Sequence, residues 1–171
     1  EFPSDAKQAT VNLENEWIEN YNGVNVASFV EGKNGDDEHF IVLAHYDHLG
    51  YDPLLQGDKI FNGADDNASG VQAVLQILSA FMATGQQPEK TVIFAFWDGE
   101  EKGLFGSKYF VSNFPDIKKV KGYMNFDMIG RNNMEHRPQQ MKYLYLAKDS
   151  VYAAWLKSDI EKYSLALDPD L

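Results

Sequence analysis

The sequence has 171 residues, a formal net charge of −11 and no cysteine. The length suits a domain with a hydrophobic core, and the excess of acid argues against partners such as nucleic acid or anionic membrane surfaces. Without cysteine, disulfides and thiolate metal sites are excluded, so any zinc must be bound by histidine and carboxylate, a ligand set typical of catalytic zinc. The apolar runs are too short to predict a membrane span.

The first part of the chain predicts an antiparallel hairpin, a buried strand and a long loop. Strands are predicted at residues 10–18 and 24–30, with a turn signal at residues 21–23 between them. The continuous apolar run at residues 40–44 is typical of a strand buried on both faces. Residues 45–63 form a long loop, and a long loop inside a domain is usually functional.

Strands alternate with helices in the rest of the chain. Apolar side chains at helical spacing or in short continuous runs mark these elements. The alternation predicts an α/β fold with a mostly parallel sheet, covered on both faces, and an antiparallel hairpin at one edge. We expect helices at residues 69–83, 104–113 and 149–165, and strands at residues 91–97, 120–128 and 142–147.

Two adjacent carboxylates, Asp65 and Asp66, lie in a glycine-flanked stretch at residues 62–70, just before the first predicted helix. One of them can cap that helix, but capping does not require two acids. Burying a carboxylate is costly unless a positive group compensates for it, and the stretch contains no lysine or arginine. We therefore interpret it as part of a metal centre.

Acid and imidazole groups also follow the ends of the three predicted inner strands. His45 directly follows the first, Glu100 and Glu101 follow the second, and Asp127 closes the third. Because the carboxyl ends of parallel strands form the ligand crevice of such sheets, we expect these side chains to converge around a cation. The two glutamates can instead be a solvated pair at a helix start, but neighbouring side chains point in different directions, so one can bind metal while the other acts on water.

His45 and Asp47 stand two residues apart at the end of a predicted strand. A histidine that binds a metal usually donates its other ring N–H to a carboxylate, so we interpret Asp47 as the partner that orients His45. The other three histidines are interpreted as residues without a metal role, His48 as a loop residue and His39 and His136 as surface residues.

Four motifs together resemble those of the M28 zinc aminopeptidase family. They occur in the family's order within residues 24–131. The resemblance implies a three-layer α/β/α sandwich around a mixed, mostly parallel central sheet, two zinc ions, and a cis peptide bond after Asp66. The motifs are HYDHLG at residues 45–50, NGADDNASG at residues 62–70, WDGEEKGLFGS at residues 97–107 and NFDMIG at residues 125–130.

The resemblance also implies a role for each candidate residue. Asp66 is the carboxylate that bridges the two zinc ions. Glu100 is the general base, acting on a water that the metals activate, and Asp47 is the partner that orients His45. The implied protein ligands are His45, Asp66 and Asp127 for one zinc, and Asp66 and Glu101 for the other.

The sequence departs from the family in its last part. The family has a further zinc ligand, a histidine late in the domain, whereas the only histidine after Asp127 is His136, which follows too soon. We therefore expect residues 1–171 to form a single, incomplete zinc-peptidase-like domain that lacks the late strands and the last histidine ligand. An exposed sheet edge in such a domain would favour self-association.

The implied function is that of a metallo-exopeptidase, a zinc-dependent aminopeptidase that hydrolyses N-terminal residues from peptide substrates. The family is commonly exported, and a chain that starts at Glu1 fits a secreted protein, periplasmic or extracellular. Two alternatives stay open: a glutaminyl cyclase-like zinc acyltransferase, which shares the fold, and a non-catalytic peptide-binding module. The pair Glu100 and Glu101, followed by KGL at residues 102–104, resembles the peptidases more than the cyclases. Glu100 also argues against the binding module, which has no need of a general base.

Overall fold

The computed structural model describes residues 7–15, 18–33, 38–131, 143–145, 151–164 and 168–170. Its internal contacts divide the chain into two units, Glu1–Met128 and Ile129–Leu171. Within the described ranges, no helix has the length and apolarity that crossing a membrane requires.

The first unit is built on one large sheet. In chain order it contains β1 (Lys7–Asn15), β2 (Ile18–Val30), β3 (His39–His45), β4 (Gly50–Tyr51), β5 (Ile60–Phe61), α1 (Gly70–Thr84), β6 (Thr91–Trp97), α2 (Phe105–Asn113) and β7 (Val120–Asn125). Five strands form the sheet in the order β1-β2-β6-β3-β7, and β4 pairs with β5 in a small antiparallel hairpin. β3 runs parallel to both of its neighbours, whereas β2 is antiparallel to β6 and to β1. The predicted parallel strands and antiparallel edge hairpin are confirmed, but the strand predicted at residues 120–128 as an inner strand is β7, the last strand in this order.

Apolar side chains on the two faces of the sheet form two separate cores. On one face, Val74 and Leu78 of α1 pack against Phe94, which is fully buried. On the other face, Phe110 of α2 packs against Trp97, with the ring centroids 4.8 Å apart. Because successive residues of a strand point to opposite faces, the apolar runs of β3 and β6 supply both cores. The predicted three-layer α/β/α sandwich is therefore confirmed.

The second unit contains β8 (Tyr143–Tyr145), α3 (Val151–Lys162) and β9 (Asp168–Asp170), and β8 pairs with β9 in parallel. β8 and α3 lie within the strand and the helix predicted for this part of the chain. The outer residues of those two predictions, 142, 146–150 and 165, lie outside the described residues.

The turn predicted at residues 21–23 is wrong. These residues belong to β2 and pair with β1, so that Asn22 is opposite Asn12. The chain reverses earlier, where Asn15 pairs with Ile18. A local Asn-Gly turn signal is overridden here because continuous pairing satisfies the backbone groups of both strands and keeps one register.

The last predicted inner strand is too long. β7 ends at Asn125, and the backbone N–H of Phe126 donates to the carbonyl of Leu43 at 2.9 Å. Met128 has a φ of 49°, in the left-handed region, which ends the extended conformation. Asp127 therefore lies beyond the strand, with its side chain 40% exposed.

Candidate metal centre

Strand ends bring the candidate residues to one edge of the sheet. His45 is the last residue of β3 and is opposite Trp97, the last residue of β6. Glu100 follows shortly after β6, and Asp127 follows shortly after β7. Since the carboxyl ends of parallel strands meet at a common edge, these side chains share one crevice.

The loop before α1 brings Asp66 to the same edge. Its Asp66–Asn67 peptide bond is cis, as the family resemblance implies. The buried amide of Asn67 donates to the carbonyl of Phe126 at 2.9 Å and accepts the backbone N–H of Gly70 at 3.0 Å. The hydrogen bond from Asn67 thus joins the loop to Phe126, the residue before Asp127. It positions Asp66 beside the carboxylate of Asp127.

The two acids of the pair have different surroundings. The hydroxyl of Ser69 donates to the carbonyl of Asp65 at 2.6 Å and lies 3.3 Å from its carboxylate. Asp65 therefore stabilises the turn that leads into α1, whereas Asp66 faces the histidines described next.

One candidate ligand group consists of His45, Asp66 and Asp127. His45 Nε2 lies 3.1 Å from Asp66 Oδ1 and 3.6 Å from Asp127 Oδ1. The imidazole is only 3% exposed, and its Nδ1 donates to the backbone carbonyl of Asp47 at 3.1 Å. That hydrogen bond fixes the ring so that Nε2 faces the two carboxylates.

A second group consists of His48, Asp66 and Glu101. His48 Nδ1 lies 2.7 Å from Glu101 Oε1 and 3.9 Å from Asp66 Oδ2. Asp66 therefore belongs to both groups and offers a different carboxylate oxygen to each. In each group the three ligand atoms lie within 4.8 Å of one another, which is close enough for one ion to contact all three.

The electrostatics of the crevice favour a cation. Burial alone lowers the pKa of His45, but the carboxylates of Asp127, Glu100 and Asp47 outweigh it and raise that pKa to about 9. Burial and the charge of Glu101 raise the pKa of Asp66. The carboxylates thus hold a proton on His45, and a metal ion binding to Nε2 would take the place of that proton.

Asp47 connects the loop after β3 to the loop after β6. Its Oδ1 accepts the backbone N–H of Glu100 at 3.0 Å, and its Oδ2 accepts the backbone N–H of Glu101 at 3.2 Å. The same carboxylate lies 3.6 Å from His45 Nδ1, farther than the backbone carbonyl of Asp47. The sequence predicts a carboxylate that orients His45, and the structure gives Asp47 a further task, which is to position both glutamates.

Glu100 is a member of neither group. It lines a cavity of about 380 Å³ together with His45, Asp127 and apolar side chains that include Trp97 and Phe110. Burial and the nearby charges of Glu101 and Asp127 raise the pKa of Glu100, against the lowering effect of His45. A carboxylate with these surroundings is suited to exchanging protons with a reactant in the cavity.

His48 is interpreted from the sequence as a loop residue without a metal role. The structure places its Nδ1 2.7 Å from Glu101 Oε1 and 3.9 Å from Asp66 Oδ2. The close spacing of two histidines at one strand exit is the sequence signal for this contact. The interpretation of His39 as a surface residue is wrong, because its side chain is partly buried against Phe114, and His136 lies outside the described residues.

The donor set fits zinc. Each group combines one imidazole nitrogen with carboxylate oxygens, a ligand set that catalytic zinc sites use. The hydrogen bond from His45 Nδ1 to a carbonyl is also the contact that a ligating imidazole usually makes. The two groups share Asp66, so the arrangement suits two neighbouring ions.

Comparison with known sequences gives a family match over most of the chain. The sequence model of peptidase family M28 matches residues 25–169. Leupeptin-inactivating enzyme 1 of Streptomyces exfoliatus is 49% identical over 80 residues, which cover 44% of this chain and 18% of that protein. Leucine aminopeptidase 2 of Trichophyton rubrum is 36% identical over 110 residues, which cover 63% of this chain and 20% of that protein. The aligned part of the chain spans about a fifth of the length of these two relatives.

A solved structure has the same fold. BSAP, a zinc aminopeptidase from Bacillus subtilis, aligns with a TM-score of 0.65 and 23% sequence identity. The alignment covers 85% of this chain and 34% of that chain.

Proposed function

Because the chain belongs to peptidase family M28, we propose that it is a zinc-dependent aminopeptidase that removes N-terminal residues from peptides. The observation that carries the proposal is the position of Asp66, whose two carboxylate oxygens face His45 and His48 respectively. A carboxylate shared by two ligand groups is the arrangement that a two-metal hydrolase needs.

The proposed zinc ligands are those that the family resemblance implies. His45, Asp66 and Asp127 would hold one ion, and Asp66 and Glu101 would contribute to the other. Bound there, zinc would supply Lewis acidity, which polarises the scissile carbonyl and makes a water nucleophilic at neutral pH. Asp47 orients this set, because it contacts His45 and the glutamate backbone together.

Glu100 is the proposed general base. Its carboxylate accepts a proton from the attacking water as the oxygen of that water bonds to the scissile carbonyl carbon. The same proton is then transferred to the amine nitrogen as the carbon–nitrogen bond breaks. Burial and neighbouring charge raise the pKa of Glu100, and a raised pKa suits a group that must both take and return a proton near neutral pH.

Two features support aminopeptidase action over the other classes. Relatives that match the chain carry the name aminopeptidase. The presence of Glu100 beside the two ligand groups supports turnover over peptide binding alone.

The direct test is hydrolysis of a matched substrate pair by the purified, zinc-loaded chain. We expect release of nitroaniline from leucine p-nitroanilide, loss of that activity with a zinc chelator such as phenanthroline, and no reaction with N-acetyl-leucine p-nitroanilide. Equal cleavage of the acetylated substrate would contradict aminopeptidase action. Ammonia release from a peptide with N-terminal glutamine, without cleavage of either anilide, would indicate the cyclase reaction instead.

A further inference from the structure

We propose that Asn25 is a positioning residue that holds the loop carrying Glu100 and Glu101 in place against the sheet. The proposal rests on the proposed function, in which these glutamates are the general base and a zinc ligand. It gives a role in the site to a residue of β2, a strand that contributes to neither of the two ligand groups.

Asn25 closes a ring of three hydrogen bonds at the root of this loop. Its Oδ1 accepts the backbone N–H of Asp98 at 3.1 Å, and its Nδ2 donates to the carbonyl of Gly106 at 2.8 Å. The third bond runs from the N–H of Gly106 to the carbonyl of Asp98, at 2.9 Å. Asp98 and Gly106 are the two ends of the loop, so one side chain holds both ends.

The ring fits an amide side chain. Asn25 is 6% exposed, and both its oxygen and its nitrogen are paired, as a buried polar side chain requires. A Cβ on Gly106 would collide with Asn25 Oδ1 and with the carbonyl oxygen of Asp98. Only glycine lets the backbone come this close, so Gly106 makes the space that the amide of Asn25 occupies.

Hydrogen bonds inside the loop fix its shape. The carbonyl of Glu100 accepts the N–H groups of Gly103 and Leu104, each at 2.9 Å. These bonds do not fix where the loop lies, which depends on contacts with residues outside it. Asn25 holds the loop from the β2 side and Asp47 holds it from the β3 side. Removing one of the two contacts should therefore displace the loop as a unit.

The same end of β2 also contacts the loop after β3. The hydroxyl of Tyr46, the residue after His45, donates to the carbonyl of Val24 at 2.6 Å. The N–H of Val24 donates to Asp98 Oδ2 at 2.8 Å. This end of β2 thus touches both loops, and it sets the distance between the proposed ligand and the proposed base.

The alternative role for Asn25 is to stabilise the fold and nothing more. That role predicts a less stable protein whose folded molecules keep a normal kcat. A positioning role predicts a displaced base, and a displacement of about 1 Å can cost about 100-fold in rate. The two roles are therefore separated by the kcat of the folded variant Asn25→Ala.

The kinetic test is a double-mutant cycle with Glu100→Gln, measured on the zinc-saturated chain with leucine p-nitroanilide. We expect Asn25→Ala to lower kcat by about 10- to 100-fold with KM nearly unchanged. In the Glu100→Gln background the same change should lower kcat by less than about threefold, because residues that act as a unit are not additive. Equal losses in the two backgrounds overturn the inference.

The matched control is Leu78→Ala. Leu78 is buried in the core that α1 forms with the sheet, so this variant also destabilises the fold but leaves the ring around Asn25 intact. We expect its kcat to stay within about twofold of the unmodified value. A loss of kcat as large as that of Asn25→Ala shows a general effect of stability and overturns the inference.

Amide hydrogen exchange of the zinc-free chain, followed by NMR, gives a readout that needs no activity. The N–H groups of Glu100 and Glu101 donate to Asp47, so their exchange reports whether the loop keeps its place. Relative to the N–H of Phe94 in the core of β6, both should exchange at least about tenfold faster in Asn25→Ala, since local opening is separate from global unfolding. In Leu78→Ala this ratio should not change.

Unchanged relative exchange in a folded Asn25→Ala overturns the inference, whether or not the chain is active. If circular dichroism shows that Asn25→Ala is unfolded, Asn25→Asp takes its place, because it keeps an acceptor for the N–H of Asp98 and loses only the donor to Gly106. Faster relative exchange in that variant supports the inference, and unchanged exchange overturns it. An unmodified chain without aminopeptidase activity contradicts the proposed function, and the exchange experiment then decides the role of Asn25.

Discussion

The carboxylate Oδ1 of Asp47 accepts the backbone N–H of Glu100 at 3.0 Å. These two residues follow different parallel strands, β3 and β6, so the hydrogen bond joins the loop that holds the histidines to the loop that holds the glutamates. Oδ2 of the same carboxylate accepts the backbone N–H of Glu101. Asp47 therefore positions the proposed base relative to the proposed ligands.

Asp47→Asn should lower kcat by about 10- to 100-fold, as loss of an outer-shell partner does in metal enzymes. The asparagine amide has only one acceptor oxygen, so its nitrogen would face one of the two backbone donors. Asp58→Asn is the matched control, because Asp58 is exposed in the same loop, where its carboxylate accepts the N–H of Ile60. Equal kcat values for the two variants would contradict the positioning role of Asp47.

Glu100→Gln should leave zinc binding unchanged and lower kcat by about 10²- to 10⁴-fold, the usual contribution of a general base. Glutamine is nearly isosteric but cannot accept the proton of the attacking water. Zinc content and steady-state kinetics measure the two effects separately. Glu89→Gln serves as the control, since Glu89 is exposed and pairs with Lys33 at the surface, and near-normal turnover by Glu100→Gln would refute the assignment.

Asn67→Ala should reduce the free energy of unfolding by about 1–3 kcal/mol, because it leaves a partly buried carbonyl of Phe126 and a buried N–H of Gly70 without their partner. It should also weaken zinc binding, since the tie between Asp66 and Asp127 is lost. Asn62→Ala, in the same loop but exposed, should change stability by less than about 0.5 kcal/mol. Urea unfolding of the zinc-free proteins compares the two, and equal stabilities would contradict the role of Asn67.

The zinc-free protein should lose stability as the pH rises from about 6.5 to about 9. The folded protein raises the pKa of His45 from 6.5 to about 9, so the protonated imidazole favours folding. This contribution is fully present below the unfolded pKa and is lost as the pH rises through the folded one. Urea midpoints across this interval should fall for the unmodified chain and stay flatter for His45→Gln. Parallel pH profiles would show that His45 is not held protonated.

The strands β3 and β6 could be predicted from the sequence because strands buried on both faces consist of continuous apolar runs. β6 has the predicted bounds, and β3 exceeds its prediction only by His39 and His45. The hairpin was harder, since its turn signal at residues 21–23 lies inside β2. The pairing of β2 with β1 determines where the hairpin turns, and a local sequence pattern does not reveal which residues pair.

The members of the candidate site could be predicted where they are acids or histidines that follow the end of a strand. His45, Glu101 and Asp127 were expected at one edge from their positions after strands, and Asp66 from its acidic stretch, and the structure places all four in two groups that share Asp66. The contact between His48 and Glu101 could not be predicted, because the two residues are distant in sequence and meet only through the fold. The contact from Asp47 to the glutamates uses backbone N–H groups, which any residue supplies, so no sequence signal marks it.

The zinc content of the purified chain tests the shared role of Asp66 most directly. The chain should be dialysed against trace zinc and its metal measured by elemental mass spectrometry, beside an Asp66→Asn variant. We expect two zinc ions per unmodified chain and a loss of both in the variant, because one carboxylate serves both ions. One zinc ion or none in the unmodified chain would contradict a shared, two-metal centre.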